Sequence, residues 1–268
     1  MPKAYLSLAL FFSLGGSLLQ AKNNHQAPYH VVKIHHANNR TNPLGRMVEM
    51  TTADGVPAKA YYIPSKKRSN KYVIVFHEWW GLNDHVKKEA ELLYHKLKNT
   101  SIIAVDLYDG KSTTKPKEAS ALMIEVDENR ITNIINAAFE YAGKNAIVAT
   151  YGWGLGGSYS LKTAINHANQ VKACVVYYGM PELDVQKLKQ LSCEVLGIFG
   201  TNDQLIDTIL VKKFETQMQL AQKKLLVCYY PVGYAFVNPA NDTFSPEFAK
   251  HALNKSVQYI NKHLYLKN

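Results

Sequence analysis

Eight short apolar runs, alternating with longer amphipathic stretches, constrain the fold of this 268-residue chain more than any other feature. Residues 46–52, 58–63, 72–77, 101–106, 146–151, 172–178, 194–199 and 225–230 read as strands. Helical spacing predicts helices over 84–98, 117–126, 128–142, 156–168, 183–191, 207–222 and 246–264. Strands that are apolar nearly throughout, with helices between them, specify a mainly parallel sheet covered on both faces. The first two strands have no helix between them and are expected to pair antiparallel. With 47% hydrophobic and 19% charged residues there is material for one sizeable core. We expect a single α/β domain over 46–268.

Ligands of such sheets gather at the carboxyl ends of the strands. Those ends read HEWWG from His77, DLY from Asp106, GTND from Gly200 and PVGYAF from Pro231, together with the glycine loop ATYGWGLGG from Ala149. The glycine loop admits two readings. Gly152, Gly154 and Gly157 spell the dinucleotide fingerprint G-x-G-x-x-G, which requires an acidic residue at the end of the next strand. That strand ends Val176-Tyr177-Tyr178-Gly179 instead. Centred on Gly154, the same residues form a nucleophile elbow, a sharp turn from strand into a helix starting at Leu155. An acid follows at Asp203, and the order nucleophile, acid, base calls for a histidine after the next strand. Tyr234 stands there.

These strings resemble the dienelactone hydrolase family of α/β-hydrolases, from about Arg46 to His263. FHEWWGLND (76–84), AVDLYDG (104–110), GWGLGG (152–157), GTND (200–203) and YPVGYAF (230–236) occur in the family's order. The resemblance implies an α/β-hydrolase fold, with attack on an ester or lactone carbonyl and no cofactor or metal. It also implies an oxyanion site built from the backbone N–H groups of Trp79 and Leu155, and a glutamate, Glu78, that tunes the nucleophile. Gly154 replaces the nucleophilic Cys or Ser, and Tyr234 replaces the base. Read in one dimension, these are two separate losses, with Asp203 left from the triad. Gly110 and Asn238 stand where members that cleave dienelactone hold arginines. Trp79, Trp80, Tyr108, Tyr234 and Phe236 suggest an aromatic pocket, about half of whose residues are expected to be core. Ser158 and His77 are weighed as substitute nucleophile and base, and are expected to bond locally instead.

The expected function is therefore a small-molecule-binding pseudo-hydrolase whose ligand carries an ester- or lactone-like group. The alternative is an active hydrolase that uses a non-standard nucleophile, or a water polarised by Glu78 or Asp203.

Residues 1–21 read as a secretory signal peptide, with Lys3, an apolar run from Ala4 to Leu19, and Ala21 at the cleavage site. The run is shorter than the roughly 20 residues that span a bilayer, so an uncleaved anchor is the lesser reading. The chain is expected to be exported, to a periplasmic or secreted location, with no stable membrane insertion after cleavage. A polar lead-in over 22–45 carries His25, His30, His35 and His36 without periodicity, which argues against a metal site. The net charge of +10 comes from scattered lysines, read as solvated surface and not as a nucleic-acid interface. Cys174, Cys193 and Cys228 lie in or beside apolar runs and are read as packing residues, although spacing alone leaves one oxidised pair open.

Overall fold

The computed structural model describes residues 43–265; the signal peptide and most of the lead-in lie outside them. An eight-stranded sheet has the order β1-β2-β4-β3-β5-β6-β7-β8. Its strands are β1 (Arg46–Met50), β2 (Ala58–Ile63), β3 (Lys71–Phe76), β4 (Ser101–Val105), β5 (Ile147–Trp153), β6 (Val171–Tyr177), β7 (Glu194–Gly200) and β8 (Leu225–Tyr230). The expected antiparallel pair β1–β2 forms, and β2 also runs antiparallel to β4; all other pairings are parallel.

Among the described residues six helices lie between the strands, α1 (Asp84–Lys96), α2 (Pro116–Ile124), α3 (Glu128–Ala142), α4 (Leu155–Asn166), α5 (Val185–Leu188) and α6 (Thr208–Leu220), and α7 (Pro246–Leu264) follows β8. Side-chain oxygens start several of them. Asn83 accepts from Val86 N–H at α1, Asp127 from Asn129 N–H at α3, and Asp207 from Leu210 N–H at α6. Each satisfies an N–H that the helix leaves unbonded.

Both faces of the sheet are covered. Val73 and Val75, Ala149 and Tyr151, and Ala173 and Val175 share one core with Val86, Ala90 and Leu93 of α1 and Ala252, Val257 and Ile260 of α7. The alternate side chains meet α4, whose Ser160 hydroxyl donates to Val175 O and lies 3.6 Å from Cys174 Sγ. Burial of both faces explains why β4 (SIIAV) has no polar alternation. The three cysteines are free thiols, Cys174 fully buried. Among the described residues no helix is long and apolar enough to cross a membrane.

Arg130 of α3 latches the antiparallel corner to the loop after β4. Its guanidinium donates to both carboxylate oxygens of Asp109 (2.6 and 2.9 Å), to Asp54 (3.1 and 3.2 Å) and to Val56 O and Pro57 O. Planar forked donors suit this arrangement, and lysine would meet only part of it. Arg130→Ala is expected to lower the melting temperature by roughly 2–6 °C, read by thermal denaturation, with Arg130→Lys recovering only part of the loss.

Candidate active site

Five strand ends meet at one place. β5 runs through Gly152 and Trp153 before the chain reverses at Gly154, and α4 begins at Leu155. The turn is tight on every side. A Cβ on Gly152 would collide with Gly156 O, and one on Gly156 with the carbonyls of Phe76 and His77. Glycine at both positions lets helix and sheet pass at backbone distance. Gly154 has φ 53° and ψ −117°, left-handed backbone that a side chain adopts only under strain. The elbow is thus fully formed around a residue with no side chain. Leu155, as the first residue of α4, presents an N–H that the helix does not use. Trp79 follows β3 beside it in sequence to Glu78 and packs on Trp80 with ring centroids 4.6 Å apart.

What fills the space above Gly154 is the Tyr234 hydroxyl. A Cβ built on Gly154 would overlap that oxygen, with Tyr234 Cζ at 3.5 Å and Glu78 Oε1 at 3.9 Å. Tyr234 starts from the base position on the loop after β8 and reaches the nucleophile position. Gly154 and Tyr234 are therefore coupled through this contact. One long side chain reaches from the loop after β8 to the elbow, and it does so only because residue 154 lacks a Cβ. This contact was not legible in the sequence.

Asp203 follows β7 and is buried. It is 4% exposed, and its Oδ1 accepts from Leu205 N–H (2.8 Å) and Ile206 N–H (2.9 Å), while Oδ2 has no hydrogen-bond partner. An unpaired buried carboxylate oxygen is costly. Burial raises its pKa above the usual carboxylate value, against the pull of the two backbone donors. Tyr234 lies near the charges of both Asp203 and Glu78; burial first, then these charges, pushes its phenol well above 10.

Glu78 is buried and held by two donors. Tyr178 OH reaches Oε1 at 3.2 Å and Asn238 Nδ2 reaches Oε2 at 2.9 Å. Burial raises its pKa to about 7, although both donors favour the charged form. The carboxyl thus changes charge near neutral pH, where a general base is most effective. Tyr178 holds a positive φ of 36° and Ala235 one of 59°, so strained backbone flanks the same spot. The Tyr178 and Tyr234 rings pack edge to face at 5.0 Å.

The narrow cleft beside Glu78, about 10 Å³ in volume and so wide enough for about one water molecule, is lined by His85, Val86 and Glu89 of α1 and by Trp153, Tyr178, Val237 and Asn238. Glu89, also raised to about 7 by burial, brings a second carboxyl, and the lining holds no lysine or arginine. Of the expected aromatic pocket, Phe236 is fully buried against Tyr178 and Tyr230, and Tyr108 is buried edge-on to His77. Neither lines this cleft, and Trp80 is absent from its lining. The reason is that the chain turns at Ala235 and packs Phe236 into the core. Trp153, Tyr178, His85 and Glu89 were not singled out in the sequence, although Trp153 and Tyr178 sit at strand ends where the architecture places ligands.

Ser158 bonds locally, as expected, whereas His77 bonds both to its neighbour and across to the loop after β4. His77 donates from Nδ1 to Glu78 O (2.6 Å) and accepts at Nε2 from Leu107 N–H (3.1 Å), and burial lowers its pKa to about 4. It is a neutral brace that holds Glu78 in place. Ser158 Oγ points back to Gly154 O within α4. Asn238 and Gly110, at the expected arginine positions, serve other ends: Asn238 holds Glu78, and Gly110 N–H donates to Asp106 Oδ2 at 2.7 Å. Among the described residues no group of three or more His, Cys, Asp or Glu side chains is placed to hold a metal ion.

The family model of the dienelactone hydrolase family matches residues 58–264, which is most of the chain and includes every residue of this site. The chain belongs to the dienelactone hydrolase family. Protein usf of Aquifex pyrophilus is 28% identical over 239 residues, covering 82% of this chain and 100% of that protein. A Bradyrhizobium protein named "Probable 2-oxo-3-(5-oxofuran-2-ylidene)propanoate lactonase" is 25% identical over 213 residues, covering 72% and 84%. Among solved structures, the dienelactone hydrolase-like promiscuous phosphotriesterase P91 from metagenomic libraries superposes with a TM-score of 0.70 at 17% identity, covering 82% of this chain and 99% of that one. The dienelactone hydrolase from Anabaena variabilis gives 0.62 at 15% identity, covering 83% and 99%. At these identities the structural likeness carries the fold.

Proposed function

We propose that this protein hydrolyses carboxylic esters or lactones by a route that needs no Cys or Ser nucleophile, with Glu78 as the general base. The observation that carries this reading is the position of Glu78. Within the elbow of a dienelactone hydrolase family member, a buried carboxyl that ionises near pH 7 stands 3.9 Å from where a nucleophile's Cβ would be. The unused N–H of Leu155 would stabilise the developing oxyanion. Glu78 and Glu89 make the cleft unfavourable for a carboxylate-bearing substrate, and the arginines that would counter them are absent. The substrate class is a neutral ester or lactone. Export as the place of action belongs to the same proposal and rests on residues 1–21 alone.

A second reading is a binding protein without turnover. It is favoured by the Tyr234 hydroxyl, which fills the nucleophile's place as a plug would. Steady-state hydrolysis of a 4-nitrophenyl ester by the purified chain, against a heat-denatured control, separates the two. The hydrolase reading expects turnover that rises with pH through about 7 as Glu78 ionises. Glu78→Gln is expected to lower it by at least about 100-fold and to flatten the profile. Activity equal to the control at every pH leaves the binding reading standing.

A further inference from the structure

The space of the missing nucleophile is occupied by an oxygen that can itself react. Tyr234 Oη sits over Gly154, at the end of the strand–helix turn where family members place a reacting sulfur or oxygen, with Glu78 Oε1 beside the same point and α4 starting beneath it. A ring anchored against Tyr178 fixes its direction. Plugging the hole would need only bulk, whereas this arrangement puts a hydroxyl at the focus of an elbow, with a buried carboxyl at hand.

We infer that Tyr234 is the nucleophile of this site and accepts the acyl group of aryl or enol esters and enol lactones. The inference rests on the hydrolase reading given above. As Tyr234 Oη bonds to the acyl carbon, its proton passes to the Glu78 carboxylate, and the carbonyl oxygen becomes an oxyanion facing the Leu155 N–H. The intermediate collapses by breaking the bond to the leaving oxygen, which takes the proton back from Glu78. Water then attacks the O-acyl-tyrosine and gives one proton to Glu78, which returns it to the departing tyrosine oxygen. The net reaction is ester plus water to acid plus alcohol, and no oxidant or reductant enters.

Leaving-group chemistry sets the substrate class. Burial and the neighbouring carboxylates hold the Tyr234 phenol above its ordinary value, so it takes an acyl group downhill from a more acidic phenol or enol. An alkoxide is far more basic, so an alkyl-ester intermediate would expel Tyr234 and revert. The site therefore selects by the acidity of the leaving group.

The test uses the full chain with 4-nitrophenyl acetate and, in parallel, ethyl acetate. We expect a burst of nitrophenolate approaching one per chain and a single acetyl group on the peptide carrying Tyr234, absent from urea-unfolded protein and from the ethyl acetate sample. Tyr234→Phe keeps the ring and should lose the burst and the adduct, with turnover falling at least about 100-fold. Turnover that persists in Tyr234→Phe, or an adduct on another residue only, overturns the inference while the Glu78 hydrolase reading stands. No turnover and no adduct in the wild type overturns both. An acetyl group that forms on Tyr234 and is not released upholds the attack and overturns the hydrolase reading.

Discussion

Gly154→Cys combined with Tyr234→His is expected to hydrolyse a 4-nitrophenyl ester at least about 100-fold faster than wild type, whereas either substitution alone is not. The geometry supplies the reason for each arm. Cysteine at 154 places its Cβ against the Tyr234 hydroxyl, so the single variant is both crowded and without a base. Histidine at 234 clears that space but leaves nothing to attack. Together they give a thiol at the elbow and an imidazole whose N–H can donate to Asp203 Oδ2, the buried oxygen that now has no partner. Stability should follow the same logic: the cost of Gly154→Cys is expected to be smaller in the Tyr234→His background. A double variant no faster than its parents would mean that the elbow lacks a working oxyanion site.

Glu78→Gln should stabilise the protein at pH 8 and leave it unchanged at pH 4. The folded carboxyl ionises near 7 and its reference value is 4.5. Below 4.5 both folded and unfolded chains are protonated and nothing is lost. Between 4.5 and 7 the folded chain holds a proton that the unfolded chain has released, so stability falls as pH rises, and the full cost is present above 7. Removing the charge should recover on the order of 1–3 kcal/mol at pH 8, after discounting for the weaker hydrogen bonds from Asn238 and Tyr178. Urea denaturation at the two pH values measures it. Stabilisation together with loss of turnover is the pattern of a group kept for its chemistry.

The strands were legible because parallel strands buried on both faces announce themselves as unbroken apolar runs, and β4 and β6 fall within a residue or so of their expected limits. β5 runs two residues beyond its expected end because Gly152, which breaks an apolar pattern, is needed there as a strand residue for Gly156 to approach. The order in which β4 and β3 exchange places left no local trace, since it depends on which helix covers which face. In the site, Asp203 and Gly154 were readable from strings of fixed spacing. The pairing of Gly154 with Tyr234, the hold of Tyr178 and Asn238 on Glu78, and the approach of His85 and Glu89 from α1 join residues distant in the chain, and no local pattern encodes such distances. The glycine was read as an absence, and only its neighbour explains it.

The Tyr234 hydroxyl stands where a side chain at 154 would begin. A double-mutant cycle of unfolding free energies over Gly154→Ala and Tyr234→Phe tests it directly. The strain of alanine at φ 53° is common to both backgrounds and cancels. Removing the hydroxyl leaves Cζ at 3.5 Å from the new methyl, an ordinary contact. Alanine should therefore cost about 1–3 kcal/mol less in the phenylalanine background than in wild type. Equal costs in the two backgrounds would mean that the hydroxyl lies elsewhere, and with it would go both the explanation of the glycine and the case for the tyrosine.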